Sequence, residues 1–433
     1  MSKVTSIPQL RFPEFSGEWK EKKLSDVAEI VGGGTPPTAV EKYWGGDIQW
    51  FTPTEIKNKY IVNSKRTITQ VGLDTSSARL LPKGTLLFSS RATVGEIGIA
   101  VQECTTNQGF QSFIVNKDND SEFLYNWIIK NKKEFIRRAS GSTFLEIGKS
   151  EIKKIKSNIP LLSEQQKIAA FLTAVDNKIE QLSKKQALLG EYKKGLMQQI
   201  FSQAIRFHSK GTSSQAQGEI DDTPGQPLLP NGNSPSGSDF PDWEEKKLGD
   251  ITDLITKGTT PTSVGYNFTT EGINFIKVES IKNFKIDIGS VPKISEECHH
   301  HLKRSQLKNN DIVFSIAGTL GRTAIVKNKD LPANTNQALS IIRLNRSQHI
   351  LFVHYLLNLE SIDKYIHRML SVGAQPNLSL QQVGDIQLQL PSLLEQSKIT
   401  NFLSSIDNKI EQVGKQLDES KQFKKALLQQ MFI

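Results

Sequence analysis

A run of four potential metal ligands lies in the second half of the chain, at Cys298-His299-His300-His301. Thiolates and imidazoles bind Zn²⁺, and a structural zinc site places four such groups around one ion. Four consecutive residues cannot all point at one ion, and the sequence has no further cysteine pair to complete a site. The preceding Ser295-Glu296-Glu297 has the residue types that begin a helix. We therefore predict a capped helix here and no metal site.

Other patterns that carry chemistry are incomplete. The segment Gly318-Thr319-Leu320-Gly321-Arg322-Thr323 lacks the spacing and the lysine of a phosphate-binding loop, and Gly32-Gly33-Gly34 lacks the third glycine of a dinucleotide-binding turn. Pro241-Asp242 and Glu245-Lys246-Lys247 match a nuclease signature in letters, but these acidic residues are too close in sequence to flank a metal pair from separate strands. No Asn/Asp-Pro-Pro segment of an amino-methyltransferase occurs. The sequence predicts no catalytic residue and no cofactor bound by this chain.

The polar side chains of two loop-rich regions could do a different kind of chemistry. Arg, Lys, Asn, Gln, Ser and Thr hydrogen-bond to base edges in DNA grooves. Each has a structural alternative, because such turns also close hairpins and Asn107-Gln108 or Asn336-Gln337 can bond nearby backbone. The candidates of the first region, with neighbouring aromatic residues, are Tyr43, Trp44, Thr52, Thr54, Ser89, Ser90, Arg91, Thr93, Ser142 and Thr143. Those of the second region are Lys277, Glu279, Ser280, Thr319, Arg322, Gln375 and Asn377.

Short strand-like runs separate these loops, and longer helical patterns follow them in both regions. Strands are predicted at Ala28 to Val31, Ile48 to Phe51, Thr85 to Ser89, Ile97 to Val101 and Phe110 to Val115, with counterparts at Ile273 to Val278, Asp311 to Ile316, Thr323 to Val326 and Leu339 to Leu344. Helical stretches are predicted at Glu122 to Arg138 and Ile350 to Leu370. The fold class is therefore α+β, with β-rich globular domains that also carry helices.

Two long amphipathic helices follow the two regions. Apolar residues recur at alternating steps of four and three, which is the seam of a coiled coil. The first seam is Ile168, Leu172, Val175, Ile179, Leu182, Leu189, Leu196 and Ile200, and the second is Ile399, Leu403, Ile406, Ile410, Val413, Leu417, Leu427 and Met431. Gln186, Lys193, Ser420 and Lys424 interrupt the seams and are candidates for setting register. Helices that merely cover a core are the alternative, but such helices are usually far shorter.

The helices also reveal an internal repeat. Asp176-Asn177-Lys178-Ile179-Glu180-Gln181 recurs unchanged at Asp407-Asn408-Lys409-Ile410-Glu411-Gln412, an offset of 231 residues, whereas the globular regions match loosely. We predict a first domain at 1–158, its helix at 159–205, a flexible linker at 206–240, a second domain at 241–389 and its helix at 390–433. A flexible linker of about 35 residues spans roughly 30–35 Å, less than the ~60 Å length of either helix. Antiparallel pairing is therefore favoured, with the two domains separated by the helices in a pseudo-two-fold arrangement.

Composition agrees with a polyanionic partner. The 433 residues carry 54 Lys and Arg against 45 Asp and Glu, a formal charge of +9, and this excess favours nucleic acid. Cys104 and Cys298 give no disulfide framework, the N-terminus lacks the apolar core of a signal peptide, and no apolar run is long enough to cross a membrane. We expect a cytoplasmic protein that makes no membrane contact.

The sequence resembles the specificity subunit of Type I restriction–modification systems over nearly its whole length. The resemblance rests on Arg11-Phe12-Pro13-Glu14-Phe15 with Trp19, its shortened copy Phe240-Pro241-Asp242-Trp243, the helical regions Pro160 to Phe201 and Pro391 to Phe432, and the segments Phe88 to Gly95 and Thr106 to Phe110. The second domain departs from these patterns at Ile316-Ala317-Gly318-Thr319 and Gln337-Ala338-Leu339.

This resemblance implies two target-recognition domains that read the halves of a bipartite, asymmetric site in double-stranded DNA. It further implies that the helices dock two modification subunits, which bind S-adenosylmethionine and methylate adenine. Up to two restriction subunits that use ATP and Mg²⁺ are implied as further partners. The alternatives that the residues leave open are a coiled-coil adaptor outside restriction–modification and a methyltransferase or nuclease with a cryptic site.

Overall fold

The computed structural model describes residues 7–141, 145–207, 240–372 and 377–433. By its internal contacts the chain divides into two compact units, residues 1–185 with 413–433 and residues 186–412. Each unit contains one β-rich domain together with a part of both long helices.

The strands of the first unit are β1 (Lys20–Lys23), β2 (Ala28–Gly32), β3 (Trp44–Phe51), β4 (Tyr60–Ile61), β5 (Arg66–Ile68), β6 (Leu86–Phe88), β7 (Ile97–Ala100), β8 (Cys104–Thr106), β9 (Gln111–Val115) and β10 (Lys156–Ile159). Its helices are α1 (Leu24–Val27), α2 (Gln70–Asp74), α3 (Ser121–Lys130), α4 (Lys132–Arg138), α5 (Lys149–Lys154) and the first part of α6 (Leu162–Phe201). β6 and β7 are buried throughout, which explains why their sequences are continuous apolar runs.

Two sheets and a strand pair build this domain. The larger sheet has the order β2-β9-β6-β7-β4, the smaller sheet the order β5-β3-β8, and β1 pairs with β10. In the smaller sheet β3 and β8 run parallel, with Phe51 beside Thr106 at their carboxyl ends. The loops that follow these two strands therefore leave the sheet at the same edge.

The strands of the second unit are β11 (Glu244–Lys247), β12 (Thr252–Lys257), β13 (Ile273–Ile276), β14 (Ile281–Lys282), β15 (Lys285–Ile286), β16 (Lys293–Ile294), β17 (Ile312–Ser315), β18 (Thr323–Ile325), β19 (Ala333–Thr335), β20 (Leu339–Leu344) and β21 (Gln387–Leu390). Its helices are α7 (Glu296–His301), α8 (Ile350–Leu356), α9 (Glu360–Val372), α10 (Leu380–Gly384) and the first part of α11 (Leu393–Gln430).

The second domain repeats the topology of the first. Its larger sheet, β12-β20-β17-β18, corresponds to β2-β9-β6-β7, and its smaller sheet, β16-β13-β19, corresponds to β5-β3-β8. The central pair is again parallel, with Ile276 beside Thr335 at the carboxyl ends. β11 pairs with β21 as β1 pairs with β10. The predicted α+β class and internal repeat are thus confirmed at the level of strand order.

The long helices pair in an antiparallel sense in both units. In the first unit Ile168 and Leu172 near the start of α6 share a core with Leu427 and Met431 near the end of α11. In the second unit the end of α6 shares a core with the start of α11. None of the predicted seam residues is exposed. Full burial of a Leu or Ile side chain contributes roughly 1.5–3 kcal/mol to stability. Burial of the seam residues therefore stabilises both helices and their pairing.

Two of the polar seam residues join the helices. Lys424 on α11 lies 2.5 Å from Asp176 on α6 in the first unit. In the second unit Lys193 on α6 lies 2.6 Å from Asp407 on α11. Asp407 lies 231 residues after Asp176, and Lys424 lies 231 residues after Lys193, which is the offset of the repeat. The same cross-helix ion pair therefore occurs in both units, with the aspartate on α6 in the first unit and on α11 in the second.

A buried ion pair also marks the start of each long helix. Arg11 donates to both carboxylate oxygens of Glu164, from Nε and Nη2 at 2.7 Å each. Arg206 contacts Glu395 in the same forked way, at 3.2 and 2.9 Å. Both carboxylates are buried, with exposed fractions of 2% and 0%. Both glutamates lie in the first turn of their helix.

Two sequence expectations differ from the structure. Each predicted helical stretch is two helices, because the chain turns at Asn131 and at 357–359. The predicted linker, 206–240, begins and ends with packed residues, since Arg206 pairs with Glu395 and Phe240 is buried; residues 208–239 lie outside the described part. Each long helix contributes to both units, because its halves pack on different domain cores.

Among the described residues, no helix combines the length and the apolar character that crossing a bilayer requires.

Candidate nucleic-acid interface

Loops of the first unit converge at the carboxyl edge of β3 and β8. After β3, the Thr52 amide and hydroxyl both donate to the Glu55 carboxylate at 2.7 Å, which fixes a tight turn. After β8, the Asn107 amide donates to the Phe51 carbonyl oxygen at 3.0 Å, so this loop is held against the end of β3. The parallel register thus brings together two loops that are about fifty residues apart in sequence.

The Gly-Thr-Pro turn after β2 closes on the same edge. A Cβ atom on Gly33 would lie 2.0 Å from the Asn107 carbonyl oxygen, so only glycine permits this approach. The Gly34 amide donates to the Thr106 carbonyl oxygen at 2.8 Å. One residue further on, the Thr35 hydroxyl donates to the side-chain oxygen of Gln108 at 2.5 Å.

The hairpin between β6 and β7 completes the set. The Ser90 amide and hydroxyl both contact the Gly109 carbonyl oxygen, at 2.9 and 3.1 Å. Ser89 shares a hydrogen bond with Thr93 at 2.9 Å. We call the loops at 33–36, 52–55, 89–93 and 107–109 the loop cluster of the first unit. Its exposed side chains are Thr54, Arg91, Thr93 and Gln108, together with the half-buried Thr52.

The second unit has a corresponding loop cluster at 258–261, 277–280, 315–322 and 336–338. A Cβ on Gly258 would lie 1.9 Å from the Thr335 carbonyl oxygen, and the Thr260 hydroxyl donates to Gln337 at 2.5 Å. The Ile316 amide donates to the Ala338 carbonyl oxygen at 2.9 Å. Arg322 reaches the Val278 carbonyl oxygen at 3.5 Å and so connects the hairpin to the turn after β13. The scaffold of the cluster is therefore built twice.

Apart from Gln108 and Gln337, the accessible side chains on the two scaffolds differ. The half-buried Thr52 and the exposed Thr54 correspond to the half-buried Lys277 and the exposed Glu279. Arg91 and Thr93 lie on the hairpin of the first cluster, and Thr319 and Arg322 lie on that of the second. Both clusters present hydrogen-bond donors and acceptors on a rigid backbone, which is the arrangement that reads base edges and binds phosphates.

Some predicted site residues are placed differently. Ser89, Ser90 and Ser280 are predicted to be exposed, but all three are buried, and their hydroxyl groups bond within the loop clusters. They position the loops and are not free to contact bases. Asn377 is exposed, whereas Ser142, Thr143 and Gln375 lie outside the described residues. DNA contact by the exposed candidates stays a prediction.

Tyr43 and Trp44 are half-buried, and Trp44 belongs to an aromatic cluster with Trp50. Trp44 packs edge-on against Trp50 at 5.0 Å between ring centroids, and the Arg66 guanidinium lies 3.5 Å from the centre of the Trp44 ring. The Trp50 indole nitrogen donates to the Gly34 carbonyl oxygen at 2.9 Å, which supports the Gly-Thr-Pro turn from below. Trp44 therefore has a packing role, and Arg66 is an exposed cation that the sequence analysis missed.

Gln108, Gln337, Thr35 and Thr260 were also missed as site residues. Asn107 and Asn336 do bond nearby backbone, as predicted, by accepting from the amides of Gly109 and Ala338. The glutamines do not share that role, because each is exposed and bonded to a threonine instead. The signal in the sequence was the recurrence of both the Thr-Pro and the Asn-Gln pairs in otherwise divergent domains.

The two cysteines are buried, and residues of the histidine run make packing contacts and hydrogen bonds. Burial raises the pKa of Cys104 to about 12, and it also raises the pKa of Cys298, so neither is a thiolate at neutral pH. Ser295 caps the helix that contains Cys298, as predicted. Cys298 packs in a small apolar core, His299 bonds Asn334, and His301 packs against Tyr266. Within the described residues, no group of three or more potential ligands could hold a metal ion.

Two β-rich domains of the same topology, each with a loop cluster and a part of an antiparallel helix pair, define a class of internally duplicated α+β proteins. The model of the Type I restriction modification DNA specificity domain matches residues 16–189 and 241–420. The specificity subunit of the Type I restriction enzyme MjaIX of Methanocaldococcus jannaschii is 30% identical over 420 residues, which cover 95% of this chain and 92% of the relative. The MjaVIII specificity subunit of the same organism is 25% identical over 426 residues, covering 97% and 92%.

A solved structure has the same fold. The S subunit of a Type-I restriction-modification system from M. genitalium superposes with a TM-score of 0.59 at 17% identity, over 99% of both chains. The chain belongs to the family of Type I restriction–modification specificity subunits. It is thus a DNA-recognition subunit, and it acts with DNA and with the partner subunits of such a system.

Proposed function

We propose that each loop cluster reads one half of a bipartite, asymmetric site in double-stranded DNA. The observation that carries the proposal is one scaffold built twice with different exposed side chains, such as Thr54 in one unit and Glu279 in the other. Two alike scaffolds dock on DNA in the same way, while different side chains hydrogen-bond to different bases. Two unequal half-sites follow.

We further propose that catalysis resides in partner subunits. Two modification subunits would bind S-adenosylmethionine and methylate adenine, and up to two restriction subunits would use ATP and Mg²⁺. This chain would bind none of these cofactors itself, and would act in the cytoplasm, where the DNA is accessible.

The surfaces of the long helices support docking of two identical partners. Asn177 and Gln181 on α6 are exposed, and so are their copies Asn408 and Gln412 on α11. An exposed residue has little effect on folding, so identical exposed residues in two copies indicate a shared external contact. Asn177 and Gln181 lie four residues apart and therefore on one face of α6, as their copies do on α11.

Duplex binding by the chain assembled with its modification subunit tests the function. We expect nanomolar-range affinity for a duplex with both half-sites, and a steep fall as salt rises, because contacts to phosphates release counterions. Scrambling either half-site should weaken binding by ten-fold or more, since each lost base-pair contact costs about 1–3 kcal/mol. Equal affinity for intact and scrambled duplexes would contradict the proposal, as would methyl transfer by the purified chain alone.

A further inference from the structure

One exposed side chain has the same geometry in both loop clusters. Gln108 and Gln337 each follow the parallel central strand pair, and each accepts a hydrogen bond on Oε1 from a threonine hydroxyl at 2.5 Å. The threonines, Thr35 and Thr260, each precede a proline in a turn that contains a glycine, Gly33 or Gly258, with no room for a Cβ. The pair recurs with its neighbours Asn107 or Asn336 and Pro36 or Pro261, whereas other exposed residues of the loop clusters differ between the units.

The neighbouring backbone holds both glutamines in place. Asn107 accepts from the Gly109 amide at 2.9 Å, and Asn336 accepts from the Ala338 amide at 3.2 Å, so each glutamine sits at the tip of a closed turn. The Phe110 and Leu339 amides bond back to the same asparagines at 3.3 Å. Neither Gln108 nor Gln337 donates a hydrogen bond from Nε2 to any described residue, and both side chains are exposed. Each cluster thus presents two preoriented N–H donors to solvent.

The exposed Nε2 groups of these two glutamines are suited to donate hydrogen bonds to phosphate oxygens. A glutamine that reads adenine uses its oxygen and its nitrogen together, in a bidentate pair with N6 and N7. Here the threonine hydroxyl uses one of the two lone pairs of the oxygen and fixes the orientation of the amide, so its N–H groups are held ready to donate to a group that only accepts hydrogen bonds. Phosphate oxygens are such groups, and glutamine contacts to phosphates position a protein on DNA without reading sequence.

We propose that Gln108 and Gln337 each donate from Nε2 to a phosphate oxygen at corresponding places of the two half-sites. These contacts set the register of each domain on the duplex, and the divergent side chains around them then meet different bases. Because the same contact is made by both units, it cannot distinguish two unequal half-sites. Its partner on the DNA is therefore a feature that both half-sites share. The inference rests on the proposed function and assigns positioning residues within it.

The test uses the full chain assembled with its modification subunit and two duplexes, one with the methylated target and one with both half-sites scrambled. The variants are Gln108→Ala, Gln108→Glu and the same changes at Gln337. Glutamate keeps the acceptor for the threonine but replaces the donors with a negative charge. Gln102→Ala is the matched control, because Gln102 is exposed in the same domain and bonds only the Val62 carbonyl oxygen.

We expect each alanine variant to bind about ten-fold more weakly, to the target and to the scrambled duplex alike, and each glutamate variant to bind more weakly still. The sequence methylated in a host should stay unchanged, and the Gln102 variant should bind as the unaltered chain does. A loss confined to the target, with a changed base preference, would make the glutamines base readers and overturn the inference. Unchanged affinity would overturn it as well. Failure of the unaltered complex to prefer the target would instead refute the proposed function.

Discussion

A glutamate is buried at the start of each long helix, and its charge depends on one arginine. Glu395 is fully buried and its partner Arg206 is 8% exposed, while Glu164 pairs with Arg11 in the same way. Burial of both charges is tolerated because the paired hydrogen bonds between guanidinium and carboxylate compensate for the loss of water around each group. Removal of one partner leaves the other charge buried and uncompensated.

We therefore predict that Glu395→Ala lowers the free energy of unfolding by about 3–5 kcal/mol. Glu164→Ala should have a similar effect. The control is Glu180→Ala, since Glu180 forms only an exposed pair with Lys184 and its loss should cost less than about 0.5 kcal/mol. Urea unfolding followed by circular dichroism measures the three values. Equal stabilities for Glu395→Ala and the control would show that the buried pair is not needed.

His354 gives the second domain a pH dependence. Its side chain is 5% exposed and bonds Thr323 at 3.1 Å, and burial lowers its pKa to about 4. In the unfolded chain the pKa is about 6.5. Between these values the unfolded state binds more protons than the folded state, so stability falls as the pH falls from 6.5 to 4.

The variant His354→Gln retains a partner for Thr323 but cannot be protonated. We expect the stability of the unaltered protein, relative to this variant, to drop by about 3 kcal/mol between pH 7 and pH 4. The measurement is the unfolding free energy of both proteins across that range. Parallel profiles would mean that His354 does not titrate with the assigned pKa.

At the residue scale, the sequence indicated which loop side chains have the right type to contact DNA, but not whether each of them is exposed or buried. Thr54, Arg91, Thr93, Thr319 and Arg322 are exposed on the loops where their types and neighbours placed them. The buried Ser89, Ser90 and Ser280 have the same residue types, but their hydroxyl groups bond backbone or side chains within the cluster. Gln108 and Thr35 meet only because of strand order, and no local pattern in the sequence records that contact.

At the element scale, the paired helices depend on an apolar seam with two polar interruptions that meet across it. Asp176 and Lys424 are each 20% exposed, while Lys193 and Asp407 are 16% and 39% exposed. Pairs this accessible are partly screened by solvent, so their value lies between that of surface and buried pairs. They also fix which positions of the two helices face each other.

A double-mutant cycle tests the cross-helix pairs. We predict a coupling of about 1 kcal/mol between Asp176→Asn and Lys424→Met, and a similar coupling between Lys193→Met and Asp407→Asn. Asp176 also accepts from Lys59 at 3.2 Å and Asp407 from the Tyr355 hydroxyl at 2.6 Å, so each aspartate substitution alone should cost more than the coupling energy. Thermal or urea unfolding of each set of variants supplies the values. If the stability changes of the single substitutions simply add in both cycles, these ion pairs do not fix the register of the helices.

Long elements were predictable because periodicity repeats their signal many times over. The seam from Ile168 to Ile200 predicted a helix that the structure gives as Leu162–Phe201. The breaks at Asn131 and Asn358 were not predictable from periodicity, since apolar spacing continues through both turns. Likewise the composition of 206–240 indicated a linker but did not reveal that Arg206 is the partner of Glu395.

At the scale of the whole molecule, duplication has preserved some surfaces and changed others. The exposed residues Asn177 and Gln181 recur as Asn408 and Gln412, while the exposed residues of the loop clusters differ apart from Gln108 and Gln337. Unchanged surfaces fit two copies of one partner, and changed surfaces fit two different half-sites. The repeat itself was visible in the sequence, because the helical segments match without a gap.

Partner stoichiometry tests the unchanged surfaces. We predict that Asn177→Arg with Gln181→Arg removes one of two modification subunits from the assembled complex, because a bulky charge on the docking face blocks packing. The same changes at Asn408 and Gln412 should remove the other, and all four should leave the chain alone. Native mass spectrometry gives the masses. The control is Lys184→Ala on the same helix, an exposed residue that bonds only within α6.

The account's central claim is that two different readers in one chain recognise two different half-sites at a fixed separation. Sequencing of methylated adenines in a host that expresses this chain with its modification subunit tests the claim directly. We predict one asymmetric sequence in two specified parts, separated by an unspecified gap of constant length, and no such methylation when this chain is omitted. A palindromic or uninterrupted methylated sequence, or the same methylation without this chain, would contradict the account.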